Sequence, residues 1–327
     1  MSDAPNHVNM LSAYEEARLR SIAENKAKLI EMANSVDPIL VKFGGGCRDV
    51  EARVLETDAG TMLIVHLLVD CRDAMGANAV NTMCETIGPE VGELCKGVVV
   101  LKIISNLAVH RLARVTGVFT AKELSTSGDV EEGKSIINGI LDAYAFAKAD
   151  PFRAATNNKG VMNAISPIAV ATGQDWRAVE AGCHSYASYK HGRVAPFVEW
   201  SRDGNGDLVG YIEMPAPVGL IGGAARVHPC ARACVKLLGV STATELGTVL
   251  AAAGIAQNLG ALRALATVGI QQGHMKLHAK NLAVQAGALS KEVDAVVQRA
   301  TASGRVTAAS IKAALDAERS GLPVPPQ

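Results

Sequence analysis

The apolar positions change period several times along the chain. Leu19, Ile22, Ala23, Leu29 and Ile30 recur at helical spacing among charges over 11–35. That predicts a surface helix behind a loose polar tail at 1–10. Asp37-Pro38 breaks the pattern, and Gly44-Gly45-Gly46 predicts a flexible connection. Residues 62–69 are nearly continuous apolar sequence around His66, which predicts a buried strand. A helix over 74–94, a second buried strand at 98–104 and another at 112–120 follow, then a helix over 130–148. Residues 151–175 read as polar and irregular, and 176–187 as a helix. Two short apolar runs, 194–200 and 208–213, flank Asp203-Gly204-Asn205-Gly206-Asp207, a hairpin signal. Ala/Leu-rich helices are predicted over 224–238 and 243–270, the second with Ile255, Leu259, Leu262 and Ala266 on one face. One or two more helices lie over 291–318, before the Pro-rich end. Strands interleaved with helices at this length predict an α+β chain.

Composition narrows the function classes. Lys+Arg and Asp+Glu are both 32, so the net charge is zero. That argues against an electrostatic nucleic-acid or membrane-surface binder. Seven scattered cysteines without a C-x-x-C pair predict free thiols in a reducing compartment and give a structural zinc site no local support. The N-terminus lacks a secretory apolar core, and polar residues interrupt the apolar run 248–270. The expectation is a soluble cytoplasmic protein with no metal.

Several motifs fail on inspection. The DGNGD run starts like a calcium loop, but Leu208 stands where Gly is needed and Met214 where an acid is needed. The Gly-rich stretches fit neither a Walker A loop nor G-x-G-x-x-G. His228, Cys230 and Cys234 lack a fourth ligand and read as core packing. Other segments carry chemistry. Asp73-Ala74-Met75-Gly76-Ala77-Asn78 sits at a strand-to-helix junction, where small residues let backbone N–H groups approach a phosphate. Asp73 and Asn78 then read as nucleotide ligands, or Asp73 as a helix cap. Lys159, between amides and Gly160, suits a developing oxyanion or is an exposed loop lysine. Asp175 stands at a helix start and also reads as a cap. His274 and His278 share a helix face, and Met275 rules out the HExxH zinc motif. A single histidine as proton donor fits better.

Taken together these segments resemble class II 3-hydroxy-3-methylglutaryl-coenzyme A (HMG-CoA) reductases. The resemblance rests on GGGCRD (44–49), DAMGAN (73–78), ISNLA (104–108), RAATNNKGVMN (153–163), VATGQDW (170–176), PVGLIGGAARVHP (217–229) and GHMKLH (273–278). It implies reduction of HMG-CoA to mevalonate and free CoA, or the reverse, by two hydride transfers with NAD or NADP. It implies catalytic roles for Lys159, Asp175 and His274. Asp37, Asp73, Met75, Gly76, Asn78 and Asn106 match cofactor contacts, and Arg153 and Asn163 substrate contacts. Asp37 would disfavour a 2′-phosphate, and so favour NAD. The implied architecture is a small ferredoxin-like, non-Rossmann cofactor domain at 40–142 beside a helix-rich substrate and dimerisation domain at 143–270. A C-terminal helical flap at 271–327 and an N-terminal helix and linker at 1–39 complete it. An obligate homodimer is implied too.

The sequence departs from the family pattern in one large respect. Relatives are expected to carry roughly a hundred further N-terminal residues, with a catalytic Glu in an EEPS motif. No EEPS occurs here, and Glu15-Glu16 runs into Ala17-Arg18 instead. The expectation is a fragment, or a wrongly started product, of a normal enzyme. The other readings are an acid supplied by a partner chain, or a catalytically impaired, dinucleotide-binding, dimerising paralogue. The joint survival of Lys159, Asp175 and His274 favours the first. Lost cover would expose apolar surface, with Trp176, Leu220 and Ile221 as the places to look.

Overall fold

The computed structural model describes residues 13–267, 270–302 and 306–320. The polar tail and the Pro-rich end lie outside them. In chain order the elements are α1 (Ala13–Glu24), α2 (Lys26–Ser35), α3 (Pro38–Lys42), β1 (Gly46–Thr57), β2 (Gly60–Asp70), α4 (Ala77–Leu94) and β3 (Leu112–Phe119). There follow α5 (Ala121–Leu124), α6 (Val130–Ala149), α7 (Pro151–Ala171), α8 (Trp176–His191), β4 (Val198–Arg202), β5 (Leu208–Pro215), α9 (Gly223–Val227) and α10 (Pro229–Leu238). The chain ends with α11 (Ala243–Ala266), α12 (Ile270–Gln285), α13 (Val293–Ala302) and α14 (Ala308–Arg319). β1 and β2 form an antiparallel ribbon, and β3, β5 and β4 a second sheet in that order. The architecture is a helix-rich α+β fold, and it divides into two compact units. The first holds Met1–Val115, Met162–Phe197 and Ile212–Gly254; the second holds Thr116–Val161, Val198–Tyr211 and Ile255–Gln327.

In the first unit, α1, α2 and α4 pack with the β1–β2 ribbon around Ile22, Leu29, Ala33, Val50, Met83 and Ile87. The expected single surface helix at 11–35 is therefore two helices, broken at Asn25, and their apolar stripe lies in a core. Arg18 Nε (2.9 Å) and Ser21 Oγ (3.2 Å) donate to the carbonyls of Cys95 and Leu94, which the end of α4 leaves unpaired. The ribbon pairs Thr57 with Gly60 at its turn and Gly46 with Asp70 at its open end, with a bulge between Cys47 and Asp49. Leu63, Val65, Leu67 and Val69 of β2 alternate onto the core. β2 is thus half-buried rather than buried: from Leu63 to Asp70 the residues of both faces are of intermediate exposure.

Two expectations fail for tertiary reasons. No strand forms at 98–104: Val98 is 92% and Leu101 79% exposed. The segment runs beside α4, with Val99 and Lys102 close over Gly88 and Gly92, so β-prone residues have no ladder to join. Residues 151–171 are helix, not an irregular stretch. Ala154, Val161, Met162, Ile165 and Ala169 recur at helical spacing and are buried, and this packing overrides the low helix propensity of Asn157, Asn158 and Gly160. Smaller differences follow local chemistry. Residues 224–238 are two helices, because Pro229 starts a new one at N1. The hairpin turn is as expected, with Asp203 Oδ1 accepting from the N–H groups of Asn205 (2.8 Å) and Asp207 (2.9 Å).

In the second unit, α5 and α6 pack together, and Phe119 lies 6.1 Å from Trp200. The Glu132 carboxylate accepts from Ser125, Thr126 and Ser127, which holds the loop before α6 and pushes its pKa far below the usual range. α12, α13 and α14 share a small core of Ala279, Ala283, Val296, Ala300, Ile311 and Leu315. Among the described residues, α11 is the one helix long and apolar enough to cross a membrane by length and composition. Its Leu246, Leu250, Ala251, Ile255 and Leu262 are buried in the fold.

Candidate active site

The DAMGAN loop is built entirely within the first unit. β2 ends at Asp70, whose Oδ1 accepts from Arg72 N–H (3.0 Å) and turns the chain. Gly76 precedes α4 at φ +100°, where an L side chain is strained, and a Cβ there would meet Cys71 Sγ at 2.3 Å. Having no side chain, Gly76 leaves the first N–H groups of the 18-residue α4 without a side-chain cap. Those groups suit a phosphate, so the loop fits a dinucleotide. Asn78 stands exposed in the first turn of α4, and Met75 is half-buried.

The segment after β5 closes onto this loop. Asp73 C=O accepts from Leu220 N–H (2.8 Å) and Ile221 N–H (3.1 Å), and its Oδ1 accepts from Ala243 N–H (2.7 Å). So one carboxylate oxygen of Asp73 holds the start of α11. Gly219 is required here by close approach, since a Cβ would fall 2.3 Å from Met75 N. Gln174 Oε1 accepts from Gly219 N–H at 2.8 Å. Arg111 reaches under the loop and donates to three carbonyls: Met75 (2.9 Å), Arg72 (3.1 Å) and Val218 (2.6 Å). Burial draws its pKa below the usual guanidinium value, and burial likewise raises that of Cys71.

Lys159 lies in the second unit, on α7 rather than on a loop. It is exposed, and Asn163 stands one turn further along the same exposed side. The opposite side is fixed by buried amides. Trp200 Nε1 donates to Asn258 Oδ1 (2.8 Å), and Asn258 Nδ2 donates to Asn157 Oδ1 (2.9 Å). Asn157 Nδ2 is buried without a hydrogen-bond partner. Arg153 is half-buried in the first turn of α7, where its N–H donates to Asp150 Oδ2 (2.7 Å).

Asp175, in the first unit, caps α8 by accepting from Ala178 N–H (3.1 Å), with Arg177 Nε at 3.8 Å from Oδ1. Asp37 caps α3 by accepting from Leu40 N–H (2.8 Å), and its charge reaches Cys71 beside the DAMGAN loop. Asn106 is exposed, and its carbonyl lies where a side chain on residue 182 would sit. His274 falls within α12, and its side chain lies outside the described residues; His278 is exposed. His228 and Cys230 are exposed and Cys234 is half-buried, so that trio is surface rather than core. Among the described residues no three His, Cys, Asp or Glu come together to hold a metal. Trp176 (42% exposed) and Ile221 (58%) show open apolar surface, and Leu220 is half-buried.

Two clusters escape sequence reading. One is Arg111. The other is Glu213, which receives Tyr186 Oη (2.7 Å) and Arg114 Nε (2.5 Å), with Lys190 Nζ at 3.5 Å. The tyrosine hydrogen bond, with Arg114 and Lys190, holds the carboxyl down to about 2. Both clusters join residues far apart in the chain, and no local motif marks them.

The chain is similar to proteins of known kind. The 3-hydroxy-3-methylglutaryl-coenzyme A reductase of Archaeoglobus fulgidus is 54% identical over 299 residues, 91% of this chain and 66% of that protein. A relative from Borreliella burgdorferi is 34% identical over 254 residues, 76% of this chain and 57% of its own length. The chain thus spans two thirds or less of the length of these relatives. The class II reductase of Streptococcus pneumoniae, solved bound to NADPH in open conformations, matches with a TM-score of 0.75 and 39% identity. That match covers 95% of this chain and 74% of the other. The family model described as hydroxymethylglutaryl-coenzyme A reductase matches residues 4–279, which span the DAMGAN loop, Lys159 and His274 alike. On that match and that identity, the chain belongs to the hydroxymethylglutaryl-coenzyme A reductase family.

Proposed function

We propose that this chain carries out the nicotinamide-dependent reduction of HMG-CoA to mevalonate and CoA, or its reverse. The observation that carries the proposal is the family match over residues 4–279, with Lys159 exposed on a helix whose other face is locked by buried amides. The bound dinucleotide supplies hydride, two per thioester taken to the alcohol. Gly76, the first turn of α4 with Asn78, and Asn106 would hold it. Asp37 would favour NAD, because its carboxylate repels a 2′-phosphate. The NADPH-bound pneumococcal relative makes NADPH the necessary comparison.

The protein's own part is charge and proton placement. The Lys159 ammonium stabilises the oxyanion that develops on the substrate carbonyl. The family resemblance assigns Asp175 the role of tuning that lysine. His274 donates a proton to the CoA thiolate as it leaves, which a thiol pKa near ~8.5 makes favourable. Arg153 and Asn163 bind the acyl portion. In this reading 40–142 is the ferredoxin-like cofactor domain, 143–270 binds substrate and dimerises, and 271–327 is the flap that brings His274 in. The working form is a homodimer.

The test is loss of nicotinamide absorbance when the purified chain meets HMG-CoA and NADH, with NADPH beside it. Turnover is expected, and Lys159→Met should lower kcat by about 10²-fold or more. No turnover with dinucleotide still bound would replace the enzyme by a dinucleotide-binding paralogue. Turnover unaffected by Lys159→Met would refute the assignment of the lysine.

A further inference from the structure

The DAMGAN loop has no internal ladder to hold it. Between the end of β2 and the start of α4, the internal backbone hydrogen bond among the described residues is Ala74 N–H to Cys71 C=O (3.0 Å). What reaches it from beneath is Arg111, at the start of β3. Nη1 takes the Met75 carbonyl, and Nη2 takes those of Arg72 and Val218. The backbone of Arg111 is itself anchored, since its carbonyl accepts from Ala216 N–H at 2.9 Å.

Peptide geometry turns these contacts into direction. The peptide bonds of this loop are trans, so each C=O points opposite to the N–H of the next residue. Pulling the Arg72 and Met75 carbonyls toward the guanidinium therefore aims the Asp73 and Gly76 N–H groups away from it. The third carbonyl shows the same effect. Val218 C=O points to Arg111, and the N–H of the same peptide, on Gly219, donates the other way to Gln174 Oε1. One side chain thus sets two peptide planes at either end of Asp73–Met75, and fastens both to the segment after β5.

We infer that Arg111 is a positioning residue for dinucleotide binding, fixing the DAMGAN loop through its three-carbonyl contact so that the backbone N–H groups at Gly76 and the start of α4 face the cofactor. The inference rests on the cofactor reading of that loop given above. Arg is suited to the task and Lys is not. A planar fork reaches three fixed acceptors from two nitrogens, whereas an ammonium is one point on a flexible stem.

The experiment compares the parent chain with Arg111→Lys and Arg111→Met, by amide hydrogen exchange without ligand and by NADH and NADPH binding. Cooperative melting of each variant is checked first. If Arg111→Met does not fold, Arg111→Lys decides. Exchange should quicken at 72–79 while α8 stays protected, and dinucleotide affinity should fall about tenfold or more. Turnover, where the parent shows it, should show a raised KM for dinucleotide and an unchanged KM for thioester. Unchanged exchange at 72–79, or faster exchange with unchanged dinucleotide affinity, would overturn the inference. A parent chain that binds neither dinucleotide would overturn the cofactor reading instead, whatever the exchange shows.

Discussion

Tyr186→Phe removes a single hydroxyl from the first unit, and its effect should depend on pH in a defined way. The Tyr186 hydroxyl donates to Glu213 Oε1 at 2.7 Å. Glu213 is mostly covered, its side chain 13% exposed, while Arg114 on its other oxygen is 57% exposed. The tyrosine bond is therefore the better shielded of the two. A hydrogen bond to a charged group contributes about 1.5–3 kcal/mol, and the exposed arginine pair no more than about 1 kcal/mol. We expect Tyr186→Phe to cost about 2 kcal/mol at pH 7. The folded carboxyl sits at about 2 against its ordinary 4.5. A depressed carboxyl stabilises the fold above its unfolded pKa, and that contribution is lost as pH falls from about 4.5 through about 2. The cost of Tyr186→Phe should accordingly be full at pH 7 and smaller at pH 3. The assay is urea unfolding of both proteins at the two pH values, with Glu213→Gln as a third chain in which the pH dependence should flatten. An equal cost at both pH values would refute the charge-assisted bond. So would a Glu213→Gln chain that keeps the parent's pH profile.

Two further outcomes test the packing. Asn258→Ala strands both Trp200 Nε1 and Asn157 Oδ1 in a buried site, and should cost about 2–4 kcal/mol, read as a lower urea midpoint; an unchanged midpoint would mean that water already satisfies these groups. Leu29→Ala empties a fully buried position between α2, α4 and β1, and should cost about 2–5 kcal/mol by the same assay; a loss below about 0.5 kcal/mol would return α2 to the surface role its charged sequence suggests.

Much of this protein could be read from its sequence. The strand-to-helix junction at DAMGAN, the β4–β5 turn, the cap at Asp175 and most helices follow from local signals: apolar period, Gly and Pro positions, and side chains that bond their own backbone. The family, too, is written in short segments whose order is specific. Local chemistry sufficed there because the determining partners lie within a few residues.

Tertiary structure decided the rest. Residues 98–104 have every local mark of a strand, yet a strand needs a neighbour, and sequence cannot supply one. Residues 151–171 look irregular because Asn and Gly weaken a helix, yet buried contacts of Ala154, Val161 and Ile165 outweigh that preference. Leu29 and Ile22 sit among charges, and only the packing of α2 on α4 shows which side of the helix is covered. Arg111 and Glu213 carry no motif at all, because their partners lie as far as 107 and 99 residues away. Local signals along the chain account for most of the helices, the β4–β5 turn and the family. Only the folded chain, by bringing distant groups together out of water, decided which carbonyls hold the loop and which carboxylate stays charged.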